Sequence, residues 1–99
     1  MKFEKTQKGQ EISLSIGGAL DALTAPQLRA ELDQLSALRQ AAITIDLSGL
    51  DFIDSSGVAV LVSLYKRVRT MQGTVSVVGI RDQPLAIFRL LHLDRVFCR

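Results

Sequence analysis

Hydrophobic and polar positions change period several times along this chain, and each change marks an element. Residues 1–8 alternate loosely, as an edge strand does, and Gly9-Gln10 reads as a turn. Ile12, Leu14 and Ile16 then alternate with Glu11, Ser13 and Ser15, the period of a half-buried strand. Gly17-Gly18 is expected to end it. A helix opens next: Thr24 and Gln27 have capping-box spacing, Leu23 and Leu28 have staple spacing, and Pro26 falls in the first turn. Leu28, Leu32, Leu35 and Leu38 line one of its faces, with Arg29, Glu31 and Asp33 turned away. Residues 42–47 form an apolar, β-branched run suited to a central strand. Ser48-Gly49-Leu50-Asp51 reads as a turn, after which Phe52 and Ile53 return the chain to the core.

Val58, Leu61, Val62, Tyr65 and Val68 recur at helical spacing in a second helix running to Met71, with Gly73 as its C′ residue. Thr74 to Val78 is a strand. Asp82 can cap a short third helix with Pro84 in its first turn and Leu85, Ile87, Phe88 and Leu91 as its apolar side. Val96-Phe97-Cys98 suggests a last strand. The order β-β-α-β-α-β-α-β predicts a small α/β fold, one domain over residues 1–99. Its sheet is mixed and mostly parallel, with four or five strands and about three helices packed on it. In such sheets function gathers where strands end and helices begin. The loop Gly18–Thr24 and the turn Asp54–Gly57 are two such places, and they form one surface if their strands are neighbours.

Asp54-Ser55-Ser56-Gly57 is a poor helix interior but a good helix entrance. Asp54 can accept hydrogen bonds from the amides of Ser56 or Gly57, and its charge suits the positive helix end. Ile53 and Val58 fall at the staple positions. Ser56 reads as a first-turn residue with a local hydrogen bond, and Asp21 as a loop cap. Gly57 serves either close helix–strand packing or a bare approach to Ser55.

Composition narrows the chemistry. With 47% apolar and 5% aromatic residues, the core is aliphatic. A net charge of +2 is too small to argue for nucleic acid. Lys66, Arg67 and Arg69 sit where cations complement a helix C-terminus. No run is long and apolar enough to span a membrane, and the start is unlike a signal peptide. One cysteine, Cys98, allows no internal disulfide, so a cytoplasmic setting is expected. Gly17-Gly18 opens neither phosphate-binding glycine motif. No cofactor or metal is expected, because His92 and Cys98 are lone ligands. Nor is an enzyme: a nucleophilic Ser55 needs a base and an oxyanion hole, and His92 reads as a helix-end residue. A phospho-aspartate site at Asp46 or Asp51 would need a lysine on a later strand, and none follows Lys66.

Asp54-Ser55-Ser56-Gly57 after an apolar strand resembles the signature of the bacterial anti-sigma factor antagonists, the STAS domain family. Gly18-Ala19-Leu20-Asp21-Ala22-Leu23-Thr24-Ala25 looks like the family's G-E-L-D-x-x-T-A segment. Asp46 to Ile53 looks like its approach to the serine turn, and Gly73–Val78, Phe88, Leu93 and Phe97 echo its later parts. The resemblance implies a phosphorylatable antagonist that captures an anti-sigma factor with serine kinase activity. It is released when Ser55 is phosphorylated and reset by a serine phosphatase. It also implies a partner surface of Asp21, Thr24, Asp54, Ser55, Ser56 and Gly57. The same resemblance admits an unphosphorylated STAS interaction subunit of a lipid-transport ATPase or other signalling assembly. Ala19 replaces the family's Glu and removes one polar contact. The chain stops at Arg99, where many relatives continue into a final helix; it is then a minimal member, or exposes apolar surface that favours a homodimer.

Overall fold

The computed structural model describes residues 1–35 and 38–97. Its elements are β1 (Lys2–Lys8), β2 (Glu11–Leu20), α1 (Ala25–Asp33), β3 (Ala42–Asp46), β4 (Leu50–Ile53), α2 (Ser55–Thr70), β5 (Thr74–Val78), α3 (Asp82–Leu90) and α4 (Asp94–Phe97). β1 and β2 form an antiparallel hairpin, and β3 lies parallel between β2 and β5. β4 takes the place of β3 beside the second half of β2, also parallel. The sheet is therefore mixed and mostly parallel.

Alternation decides which face is covered. Ile12 and Leu14 of β2 pair with Ile43 and Ile45 of β3, which pair with Val75 and Val77 of β5, and all six are buried. Leu28 and Leu32 of α1, Leu61, Leu64 and Val68 of α2, and Phe88 of α3 complete this core. Each such side chain contributes roughly 1.5–3 kcal/mol by leaving water. Ser13, Ser15 and Thr44, one residue out of phase, stay exposed on the other face. The N-terminal edge strand carries Lys2, Lys5 and Lys8, which discourage pairing with another strand.

Several expectations are corrected by long-range partners. β2 does not end at Gly17-Gly18. It continues to Leu20 because β4 offers a second ladder, and Gly18, at φ 86°, sits where the register shifts. Leu50-Asp51 is accordingly strand, and the turn is confined to the residues before it. The capping box at Thr24 does not form. Thr24 is itself helical in φ and ψ, and its hydroxyl donates to the Ala19 carbonyl at 2.9 Å. Nor does the staple: Leu23 is 83% exposed. Leu38 lies beyond α1 and is half-buried. Asp82 is not a cap but the first residue of α3, at φ 56°. Gly73 falls one place later than expected, since Gln72 takes the left-handed position (φ 64°) after α2. Gly73 is needed for another reason: a Cβ there would lie 2.5 Å from the Ala41 carbonyl oxygen. Val96-Phe97 is helix rather than strand, because Phe97 packs edge-on against Tyr65 and at 5.6 Å from Phe88. Cys98 lies outside the described residues.

Candidate functional site

β2 and β4 are neighbours, with Leu20 opposite Ile53, so the loop after one and the turn after the other meet. The Asp54 amide donates to the Leu20 carbonyl at 3.2 Å and ties them together. Asp54 is the N-cap of α2, in an extended conformation (φ −117°, ψ −172°). Its Oδ1 accepts from the amides of Ser56 (2.9 Å) and Gly57 (3.2 Å), as the spacing predicts. Its main-chain oxygen accepts from the Val58 amide at 3.0 Å. Such a cap is worth about 1 kcal/mol. Ile53 and Val58, on either side of it, both enter the core.

Gly57 is buried where α2 crosses the end of β2. A Cβ would lie 2.7 Å from the Leu20 carbonyl oxygen and 2.8 Å from Ile53 Cγ1. Close packing is thus its role in this fold. Ser55, the first residue of α2, is exposed. Among the described residues nothing bonds its hydroxyl or its amide. Ser56 is half-buried.

Asp21 and Thr24 organise the neighbouring loop. Asp21 Oδ1 accepts from the amides of Leu23 (3.0 Å) and Thr24 (3.2 Å), and the Asp21 amide donates to Thr24 Oγ1 at 2.9 Å. The loop-cap reading of Asp21 therefore describes this geometry, and both side chains are half-buried. The turn Ser48-Gly49 is held in the same way. The Ser48 amide donates to Asp46 Oδ1 at 2.8 Å, and this bond, with help from the Ser48 hydroxyl, holds the Asp46 carboxyl below the usual carboxylate range. His92 is exposed in the turn after α3, and no hydrogen bond joins its ring to Ser55 among the described residues. Those residues bring together no group of three or more metal-binding side chains, and none of their helices is long and apolar enough to cross a membrane.

Two grooves flank the start of α2, with Ser56 lining the first and Ser55 the second. The first, of about 500 Å³, runs between α1 and α2 past Ala22, Pro26, Arg29 and Ala30. The second, of about 410 Å³ and almost wholly apolar, runs between α2 and α3, with Val58, Ala59 and Val62 facing Ile87, Leu90 and Leu91. Leu90 is 73% and Leu91 50% exposed. The sequence places Ile87 and Leu91 on the apolar side of α3; Ile87 is half-buried against the core, whereas Leu91 stays exposed at the groove. The available signal was a surplus: a nine-residue helix resting on one sheet edge cannot bury so many apolar side chains.

Gln83 was also missed. Its Oε1 accepts from the Ile53 amide at 2.9 Å and its Nε2 donates to the Ile53 carbonyl at 2.8 Å. One carboxamide thus replaces the strand that β4 lacks on its outer edge. Ile53 is fully buried, and each of its backbone groups left unpaired would cost roughly 1–3 kcal/mol.

An exposed serine opening a helix beside an α/β sheet is not specific by itself. The sequence model of the family described as "Mlab, STAS domain" matches residues 3–98. The chain belongs to the STAS domain family. An anti-sigma-B factor antagonist of Listeria monocytogenes is 26% identical over 92 residues, 93% of this STAS chain and 81% of that protein. The anti-sigma-F factor antagonist RsfB of Mycobacterium tuberculosis is 30% identical over 86 residues, 85% of this chain and 68% of that one. The crystal structure of an anti-sigma factor antagonist from Mycobacterium paratuberculosis superposes with a TM-score of 0.85 at 26% identity, covering 98% of this STAS chain and 82% of that chain.

Proposed function

We propose that residues 1–99 act as one cytoplasmic STAS unit, an anti-sigma factor antagonist switched at Ser55. Unmodified, the surface of Asp21, Thr24, Asp54, Ser55 and Ser56, with Gly57 packed beneath it, binds an anti-sigma factor with serine kinase activity. The apolar α2–α3 groove extends that contact. Phosphorylation of Ser55 ends the complex, and a serine phosphatase restores it. The observation that carries this reading is an exposed Ser55 hydroxyl at the rim of an apolar groove.

Electrostatics argue for a switch at the surface rather than a refolding switch. A phosphate adds about −1.5 to −2 charge at pH 7. Asp54 already occupies the Ser56 and Gly57 amides, so the first turn offers the phosphate little beyond the Ser55 amide. The Asp54 carboxylate also repels it. Without a partner the phosphate stays in water, and the fold tolerates it. Under a partner it becomes a poorly paired dianion, costing several kcal/mol, enough for about a thousandfold loss of affinity.

The test is mass spectrometry of Ser55 from the native cell, with binding to the purified anti-sigma factor. Phosphoserine installed at 55 should abolish binding, Ser55→Ala should bind without release, and melting temperature should barely move. Equal affinity of the phosphorylated and unmodified chains sinks the proposal. A second reading, an interaction subunit of another assembly with Ser55 unmodified, draws on the fact that the Asp54 cap is complete without a phosphate. Finding no phosphate in the cell while a different partner co-purifies selects it.

A further inference from the structure

The peptide unit joining Ile53 to Asp54 is gripped from two sides. Its N–H, on Asp54, donates to Leu20 at the end of β2. Its carbonyl, on Ile53, accepts from the Gln83 carboxamide of α3. The backbone bond that follows is the φ of Asp54, the cap that presents Ser55. Gln83 also receives the Ile53 N–H, so α3 is fixed to β4 by two parallel hydrogen bonds. Glutamine suits this because its carboxamide presents an N–H donor and a C=O acceptor side by side in one plane, as a strand edge does. Two further features start α3 at this point. Arg81 Nε donates to the Ser48 carbonyl at 2.9 Å. Asp82 adopts φ 56°, which an L-residue holds only when its surroundings impose it. Four residues after Gln83, on the same helix, Ile87 enters the groove wall, followed by Leu90.

We propose that Gln83 is a positioning residue that couples the Ser55 turn to α3, so the charge state of Ser55 is felt at the groove wall formed by Ile87 and Leu90. This rests on the reading of Ser55 as a phosphorylation switch and adds how the switch reaches the docking groove. A dianion next to Asp54 pushes that carboxylate away. The resulting torque falls on the Ile53–Asp54 peptide, and the two Gln83 bonds pass it to α3. Replacing the carboxamide with an apolar chain of similar length disconnects α3 while leaving its apolar packing in place.

The experiment uses methyl-labelled full chain with phosphoserine genetically encoded at 55, in native and Gln83→Met backgrounds, without any partner. In the native background, phosphoserine shifts the methyl signals of Val58, Ile87 and Leu90. In Gln83→Met, Val58 still responds while Ile87 and Leu90 no longer do, and Tm falls by roughly 10 °C or more. Gln83→Glu keeps the acceptor for the Ile53 amide and loses the donor for its carbonyl. It gives the same loss of response should Gln83→Met not fold. Equal α3 responses in native and variant chains overturn the proposal, as does the absence of an α3 response in the native chain. A Tm loss of equal size with and without phosphate, with the α3 shifts intact, shows a structural clamp only and also overturns it. No anti-sigma factor enters the measurement, so its outcome is separate from the binding test above.

Discussion

Gly57→Ala puts one methyl group into the tightest contact of the site. Two opposing terms set its effect. Alanine is about 1 kcal/mol better than glycine in a helix interior. Against this, the new Cβ would meet the Leu20 carbonyl oxygen and Cγ, both at 2.7 Å, and Ile53 Cγ1 at 2.8 Å. One of those atoms is backbone, on a residue laddered to β4 and already accepting from the Asp54 amide, so it cannot swing away freely. Overpacking of this kind costs typically 1–3 kcal/mol. Relief requires α2 to lift from β2, which stretches the 3.2 Å bond from Asp54 to Leu20, worth another 0.5–1.5 kcal/mol or so. The clash prevails, and we expect a net destabilisation of about 1–3 kcal/mol. Urea denaturation measures it as a lower midpoint at unchanged slope, and thermal melting as a Tm loss of about 4–8 °C per kcal/mol. Ser55→Ala is the control: it adds helix propensity at an exposed position with no clash, and should be neutral or slightly stabilising. A Gly57→Ala chain as stable as the native one refutes the packing argument.

Other substitutions separate local from long-range effects. Asp54→Ala removes the acceptor of the Ser56 and Gly57 amides and should cost about 1 kcal/mol, read as a lower urea midpoint. Asp46 has a depressed pKa in the folded chain, so its stabilisation is full above the unfolded value near 3.9 and is lost as pH falls through the folded value. The stability gap between the native chain and Asp46→Asn should therefore be constant near neutrality and close in acid, as followed by urea titration at stepped pH. Leu90→Ser, at a 73% exposed position, should change stability by no more than about 0.5 kcal/mol while weakening anti-sigma factor binding in a titration.

The parts of the site legible in the chain are those whose partners are a few residues apart. Asp54 bonds amides two and three positions on, so the cap could be read from Asp-Ser-Ser-Gly and is found with both bonds in place. The Thr24-to-Gln27 spacing was equally good, yet the hydroxyl is taken by Ala19, five residues back, on a strand that runs farther than its glycines suggest. Gln83 gave no signal at all, because its partner is thirty residues away and a glutamine on a helix is ordinarily solvated. Leu91, on the apolar side of α3, and Leu90 beside it stay exposed for the opposite reason: hydropathy marks what prefers burial, not whether anything is there to bury it.

Alternation along Ile12-Leu14-Ile16, the helical period of Val58 to Val68 and the capped entrance at Asp54 were settled by the sequence alone, since side-chain direction and first-turn hydrogen bonding are local geometry. Tertiary structure decided that β2 would find a second partner in β4, that Val96 and Phe97 would turn as helix onto Tyr65 and Phe88, and that α3 would be bound to Ile53 by one carboxamide. Those outcomes depend on which backbone edges and apolar faces are left open when the other elements are in place, and no window of neighbouring residues contains that information.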